Sequence, residues 1–392
     1  MKILLVVHQH LDPNAGASGA TLRLGQQYQQ QGHDVQYYSF DNLPRKLAKL
    51  QNGKVSELTK AVIFPEFVAG HLLKLTQKQS IDVVNASTGD AWLWGKVPWS
   101  QGKKRPLLVT QSHGLEHIEH LKHIEAAKRG NLRLGWKYPI YNGGFRLWEV
   151  HTSMRYSDLV FLLNREEFDY AVEDLRLPPE KAHVFPNGIS DDFLNLPFEK
   201  TCPSTNETIN IAQIGSYIPR KGIEYSAPAL NAILLRYPHV RVAFFGTGCS
   251  EMRVHEDFEP SIRDRIQVLP RYVNGQLPNL LSEYQILRLP SLSEGFGIAI
   301  VEAMACGLAP ITTTTSGPKD IVKHEHDGIL VPTHDSLAIE QALEKLIRNR
   351  AYLGSLRYNA YTTAQSYSWA QIAQNRLSLY KEALAKRGFA HY

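Results

Sequence analysis

Pro290-Ser291-Leu292-Ser293-Glu294-Gly295-Phe296-Gly297-Ile298-Ala299-Ile300-Val301-Glu302-Ala303-Met304-Ala305-Cys306-Gly307 sets a glycine-rich loop directly before an apolar run. Gly295 and Gly297 are poor helix formers and good loop residues. A helix is predicted to begin near Gly297, with Ile298 in its first turn, and to stop at Gly307. It is apolar on every side except at Glu302, which predicts burial. A buried carboxylate is costly unless hydrogen-bonded, so Glu302 needs a partner. Glu294 lies in the loop before the helix, where backbone N–H groups and the helix N-terminus favour an anion. A ligand with a phosphate at the helix start and hydroxyls on each side satisfies both carboxylates. A buried glutamate paired with Arg or Lys, beside an ordinary glycine turn, is the plainer alternative.

On both sides of this segment short apolar runs alternate with helical stretches, the pattern of parallel sheets built from βαβ units. Strands are predicted at Ile3–Val7, Val35–Tyr38, Asp82–Val84, Leu107–Thr110, Leu159–Leu163 and His183–Phe185, with a helix over Gly16–Gln31. Asn187–Asn206, rich in Pro, Ser and Thr and without helical period, is the candidate linker. The alternation restarts at Ile209–Ile214, Arg241–Phe245, Ile266–Leu269, Tyr284–Leu289, Ala309–Thr312 and Gly328–Val331, with helices from Ile223 and Ile298. The expected organisation is a Rossmann-like domain over 1–190, a linker over 191–207 and a second Rossmann-like domain over 208–366. A C-terminal helix over 367–392 is expected to pack back on the first domain. Ligands of open α/β sheets bind at the C-terminal ends of the strands.

With 392 residues, 43% hydrophobic and 21% charged, the chain has an ordinary globular composition and can bury large cores. Cys202, Cys249 and Cys306 form no C-x-x-C pair. That argues against a disulfide framework or a cysteine zinc site and suits a reducing compartment. Ile3–Val7 is too short for a signal peptide and ends at His8-Gln9-His10, so a buried strand is expected. No apolar stretch is long enough for a transmembrane helix, and a cytoplasmic location is the expectation. The net charge of +5 is compatible with anionic ligands or an anionic membrane surface.

Two further loops bear on chemistry. Ile214-Gly215-Ser216-Tyr217-Ile218-Pro219-Arg220-Lys221-Gly222 follows the first strand of the second half. Arg can grip a diphosphate bidentately and Lys acts as a point charge; two solvated surface cations are the alternative. Gln111-Ser112-His113-Gly114-Leu115-Glu116 follows a strand of the first half, and a single loop histidine is more often structural than catalytic.

The segment around Glu294 resembles the E-x7-E signature of the retaining glycosyltransferases of family 4. These have the GT-B fold, an α/β architecture of two Rossmann-like domains facing each other across a cleft. Glu294 and Glu302 match the two glutamates, and Gly295-Phe296-Gly297 matches the family's G-F-G. The resemblance implies that Glu302 binds the nucleotide ribose, that Glu294 contacts the donor sugar, and that the Gly295–Ile298 backbone lies against sugar and phosphate. The 214–222 loop is similar to the family's G…K-G loop, which implies that Arg220 and Lys221 neutralise the leaving diphosphate. Many members carry Arg directly after the first Gly, where this chain has Ser216. Asp12-Pro13-Asn14-Ala15-Gly16-Ala17-Ser18-Gly19 resembles the family's glycine-rich loop near the donor diphosphate, with Gly16 as the matching glycine. His113 matches a histidine that reaches the donor sugar or the reacting centre. Phe185–Ile189, Ser316–Val322 and Asp327–Val331 resemble further family motifs, with Asp320 where Glu is commoner.

The resemblance implies a retaining hexosyltransferase that uses a UDP- or GDP-linked sugar and a glycan, lipid-linked or small-molecule acceptor. No D-x-D pair suited to a metal is present, so neither a metal nor another cofactor is expected. A related phosphorylase, a nucleotide-sugar epimerase and a silent sugar-nucleotide-binding protein are the competing readings. His113-Gly114-Leu115-Glu116-His117 also spells H-x-x-E-H, an inverted zinc-peptidase pattern, but Gly114 opposes the helix that motif requires. From Lys128 to Arg146 the chain has no acidic residue, and Trp136, Tyr138, Tyr141, Phe145 and Trp148 are interleaved with its cations. Such a patch suits a cap over the acceptor with peripheral contact to the inner face of a membrane; a plain solvated patch is the alternative. No nucleic-acid-binding module is present.

Overall fold

The computed structural model describes residues 1–13, 16–44, 62–97, 105–130, 133–198, 204 and 207–387. Asn14, Ala15 and Cys202 lie outside them, as does much of the expected linker. The chain divides into two compact units, Met1–Pro186 with Trp369–Tyr392, and Asn187–Ser368.

The first unit is built on β1 (Lys2–Val7), β2 (Asp34–Ser39), β3 (Val83–Ser87), β4 (Leu107–Gln111), β5 (Leu159–Leu162) and β6 (Ala182–Val184). They form one parallel sheet in the order β2-β1-β3-β4-β5-β6. The register sets Ile3 opposite Val35 on one side and Val83 on the other. Because successive side chains point to opposite faces, Ile3 and Leu5 join one core while Leu4 and Val6 join another. Both faces are covered, which is why the central strands read as unbroken apolar runs. The first face is covered by the helices Gly16–Gln30 and Trp369–Lys386. In this interior the Tyr380 hydroxyl lies 3.2 Å from that of Tyr28 and accepts from Asn85 Nδ2 at 3.0 Å. Arg376 donates to Gln111 Oε1 at 2.8 Å and stacks over Phe161 and Phe185.

The second unit repeats the design with β7 (Ile209–Ile214), β8 (Val240–Phe245), β9 (Ile266–Leu269), β10 (Ile286–Leu289), β11 (Ala309–Thr313) and β12 (Ile329–Val331). Its parallel order is β12-β11-β10-β7-β8-β9. Leu230, Ile233 and Leu234 of the helix Ile223–Arg236 pack with Ile211, Val242 and Phe244 in one core.

Beyond shifts at several strand ends, such as β3 running Val83–Ser87 where Asp82–Val84 was expected, two differences have a physical reason in the structure. The strand expected from Tyr284 starts at Ile286, because Gln285 turns its amide to the neighbouring backbone, its Oε1 accepting from Asn210 N at 2.9 Å. The residues after Asn187 are packed on the second unit: Ile189 and Phe193 are fully buried, and Ile189 N donates to Tyr367 O at 2.9 Å. With both side chains buried, this part of the expected linker is a strap.

Tyr380 tests how the last helix is held. Replacing it by Phe is expected to cost about 1–3 kcal/mol through unsatisfied buried partners. Replacement by Ala is expected to cost about 3–5 kcal/mol through the cavity left behind. Urea unfolding of both variants checks the order and the size.

Candidate functional site

In the second unit three loops meet at the C-terminal ends of β7, β10 and β11. The loop after β7 turns into its helix at Gly222, which is left-handed (φ +69°). A Cβ there would lie 1.9 Å from the Pro290 carbonyl oxygen, so only glycine fits. The approach is fastened by Leu292 N donating to Arg220 O at 2.8 Å. Lys221 Nζ thereby reaches Glu294 Oε2 at 2.6 Å, and Ser291 Oγ donates to the same oxygen at 3.2 Å. Arg220, one residue away, is exposed, and among the described residues nothing pairs with its guanidinium.

Gly297 caps the helix Ile298–Ala305 in a left-handed conformation (φ +95°), and Gly307, also left-handed (φ +78°), follows its end. The third loop closes on this one. Gly317 N, in the helix Ser316–Ile321, donates to Glu294 O at 3.1 Å, and a Cβ on Gly317 would meet Phe296 O at 2.1 Å. Phe296 is buried, its ring 6.0 Å from that of Tyr367.

Glu302 is 5% exposed in that apolar helix. The structure gives it an amide: Asn274 Nδ2 donates to Glu302 Oε1 at 2.9 Å. Tyr272 lies close by, and burial together with the Glu302 charge pushes its hydroxyl up to about 12. Burial and the same charge push the Cys306 thiol up to about 12, leaving it an unreactive thiol at neutral pH. Asn274 and Tyr272 were not singled out from sequence. Both lie in the loop after β9, at the ligand-binding end of the sheet, which was the available signal.

In the first unit, His8 follows β1 and His113 follows β4. Both line a pocket of about 340 Å³ with Thr88, Glu116, His120 and Arg146. His113 Nε2 and Ser87 Oγ are in hydrogen-bond contact at 3.1 Å. Burial, reinforced by His8 and Arg376, lowers His113 to about 3, so its imidazole is neutral at working pH. His8 Nδ1 donates to Asp90 Oδ1 at 2.6 Å, and the Asp90 side chain is fully buried. Gly16 opens its helix with free space around it, whereas a Cβ on Gly19 would lie 2.7 Å from Pro13 O; Gly19 is the glycine that needs to be small.

Gly114 has φ +133° and the following helix starts at Glu116, so His113 and His117 share no helical face. Among the described residues no group of three or more His, Cys, Asp or Glu is arranged to hold a metal ion. The basic-aromatic stretch is split in two. Trp136 and Ile140 are exposed, and Lys137 Nζ sits 5.1 Å from the Trp136 ring. Arg146 is turned inward, bonded to Glu149 and, at 2.6 Å, to Glu116. Burial works against its charge, but Glu116 and Glu149 outweigh that and hold it protonated. Glu149 lies three residues past the acid-free stretch and Glu116 twelve before it, so the window concealed both.

Two parallel-sheet units, the second with paired glutamates and cations on the loops at the C-terminal ends of its strands, have the architecture of a GT-B glycosyltransferase. Family models match consecutive parts of the chain, Glycosyltransferase Family 4 over 15–193 and Glycosyl transferases group 1 over 200–363, and the chain belongs to this family. It is 24% identical over 294 residues to UDP-Gal:alpha-D-GlcNAc-diphosphoundecaprenol alpha-1,3-galactosyltransferase of Escherichia coli, covering 71% of this chain and 68% of that one. A D-inositol 3-phosphate glycosyltransferase of Stackebrandtia nassauensis is 24% identical over 312 residues, covering 76% and 68%. An uncharacterized glycosyltransferase of Methanocaldococcus jannaschii is matched over only 56% of its length, at 29% identity. Among solved structures, sucrose-phosphate synthase from Thermosynechococcus elongatus aligns with a TM-score of 0.71 at 21% identity, over 98% of this chain and 99% of that one. Anabaena HepE in complex with UDP-glucose aligns at 0.66 and 18% identity, over 98% and 100%. Both share the fold.

Burial lowers His117 to about 4 despite Glu116, so it too stays neutral in the fold, while unfolded histidines protonate near 6.5. The stability this contributes is present above about pH 6.5 and is lost as pH falls toward 4. His117→Phe, next to Tyr170, should therefore gain on the wild type in urea midpoint as pH falls from 7 to 5. A constant difference across that range rules this out.

Proposed function

We propose that the chain moves a hexose from a UDP- or GDP-linked sugar to a glycan or lipid-linked acceptor, with retention of anomeric configuration. The observation that carries this is the exposed Arg220, unpaired among the described residues, beside the Lys221–Glu294 ion pair on the glycine-fastened loops of the second unit. Arg220, Lys221 and the Gly295–Ile298 backbone take the diphosphate. Glu294 turns to the sugar, and Glu302, steadied by Asn274, accepts from the ribose hydroxyls. As the glycosidic bond breaks, negative charge grows on the diphosphate, and a preorganised cation is worth more there than in the ground state.

The pocket around His113 receives the acceptor. Its neutral imidazole is a hydrogen-bonding group for sugar hydroxyls. The UDP-galactose and diphosphoundecaprenol named for the Escherichia coli relative, and the UDP-glucose bound to the Anabaena protein, support a sugar nucleotide and a glycan or lipid-linked acceptor. The cations on the 214–222 loop support turnover without a metal. Among the described residues no helix is long and apolar enough to cross a membrane. Exposed Trp136 and Ile140 beside Lys137 support peripheral contact with a cytoplasmic membrane face.

The test is a donor panel of UDP-glucose, UDP-galactose, UDP-N-acetylglucosamine and GDP-mannose. It is read by released nucleoside diphosphate, with p-nitrophenyl glycosides of glucose, galactose and N-acetylglucosamine as acceptors and proton NMR of the product anomer. An inverted product, or no turnover of any donor, contradicts the reading. Arg220→Ala is expected to lower kcat on the order of 10²-fold, more than it raises donor KM; an unchanged kcat removes its role. Glu302→Ala is expected to weaken nucleotide binding, measured by calorimetry. EDTA should leave turnover intact, and its loss on chelation would demand a metal.

A further inference from the structure

The second unit buries a cation that the reading above leaves unused. β10 pairs with β7, with Ile286 opposite Ile211, so two residues further along the same face Arg288 comes beside Gln213. The Arg288 side chain is fully buried. Its Nη2 donates to Gln213 Oε1, and its guanidinium carbon lies 5.6 Å from the centre of the Phe244 ring. Among the described residues its Nε and Nη1 have no hydrogen-bond partner, and neither has Gln213 Nε2. No carboxylate among them balances its charge. Burial lowers the guanidinium to about 9, so it stays protonated at neutral pH.

The packing does not call for a charge here. Ile286, on the same face of the same strand, is an ordinary core residue. A methionine at position 288 would fill the space without taking an ion out of water. An unneutralised charge in a low-dielectric interior projects a field, because little around it screens it. That field falls on the loops directly above. The loop after β10 begins at Pro290, two residues past Arg288, and the loop after β7 begins at Gly215, two residues past Gln213. Tyr217, in the second of these loops, feels the charge: burial and Asp257 push its hydroxyl up, and Arg288 pulls against them. Asp257 is itself paired with Arg253 at 3.2 Å. On the surface of the same loops Lys221 is neutralised by Glu294, while Arg220 is exposed to solvent and salt. Arg288 is subject to neither.

We infer that Arg288 is a positioning residue of the donor site that acts through its field: from beneath the loops after β7 and β10 it strengthens their hold on a nucleoside diphosphate without touching it. This rests on the glycosyltransferase reading and needs only the second unit. The attraction scales with the charge of the ligand. An uncharged nucleoside gains nothing, and a sugar nucleotide gains through its phosphates. The diphosphate released from its sugar carries one more negative charge and gains most, so the help is greatest as the glycosidic bond breaks.

The experiment compares the full chain with two variants. Arg288→Met/Gln213→Leu removes both ends of the buried pair, and Arg288→Lys keeps the charge. Calorimetry with UDP and GDP is expected to show the double variant binding the preferred diphosphate on the order of 10-fold more weakly, with the lysine variant within about threefold of wild type. Saturation-transfer NMR with uridine and guanosine should show no change. Because the charge is buried, the loss of diphosphate affinity should persist at about 0.5 M salt, where the effect of Arg220→Ala shrinks. Arg288→Met alone replaces the double variant if the latter fails to fold. Unchanged diphosphate affinity, equal losses for nucleoside and diphosphate, or a loss that salt abolishes overturns the inference while the glycosyltransferase reading stands. Wild type that binds neither diphosphate and turns over no donor removes the transferase reading and this inference with it.

Discussion

A single missing carbon organises the loop cluster of the second unit. At Gly222 a side chain would lie within 1.9 Å of the Pro290 carbonyl oxygen. Its absence lets the loop after β7 lie against the loop after β10. Only then can Lys221 meet Glu294, with Arg220 beside it left exposed and, among the described residues, unpaired. The same device recurs at Gly317 against Phe296, where the third loop closes on the second. Close backbone approach is rigid in a way that side-chain contact is not. It gives groups that must meet a ligand's charge a fixed position before the ligand arrives, which is the condition for electrostatic stabilisation without reorganisation.

The two units solve the same problem of charge in apolar surroundings differently. The second buries Glu302 against the Asn274 amide, with the Tyr272 phenol close by. The first buries Arg146 among carboxylates and sets Asp90 behind His8. A carboxylate held by a neutral amide can still accept from a ligand's hydroxyls. A cation held by several carboxylates is consumed by them and acts as a strut. The contrast separates groups poised for a substrate from groups that shape the floor beneath one.

Most of the sheet framework was legible in the sequence because parallel strands covered on both faces must be continuously apolar. The helix stop at Gly307 was legible because a left-handed residue there is a local requirement. Relations across the sheet were not. Asn274 and Glu302 are 28 positions apart, and His8 and Asp90 are 82 apart. Only strand order brings them together, and no local pattern encodes that. Arg146 misled in another way: Glu149, three residues on, and Glu116, 30 residues back, hold its side chain inward where composition alone suggested a surface. The strap after Asn187 misled because its turn-forming residues announce a loop, while Ile189 and Phe193 are what anchor it.

The last helix carries a consequence for how the protein is made. Trp369, Leu377, Tyr380 and Leu384 are part of the same core as Ile3 and Leu24, yet the whole of Asn187–Ser368 is synthesised between them. During translation the second unit has all its strands and can close as it leaves the ribosome. The first unit, though begun earlier, waits with one apolar face of its sheet covered only by the helix Gly16–Gln30 until residues beyond Ser368 emerge. Order of assembly is therefore the reverse of order of synthesis, and the early-made sheet is the part most in need of a chaperone.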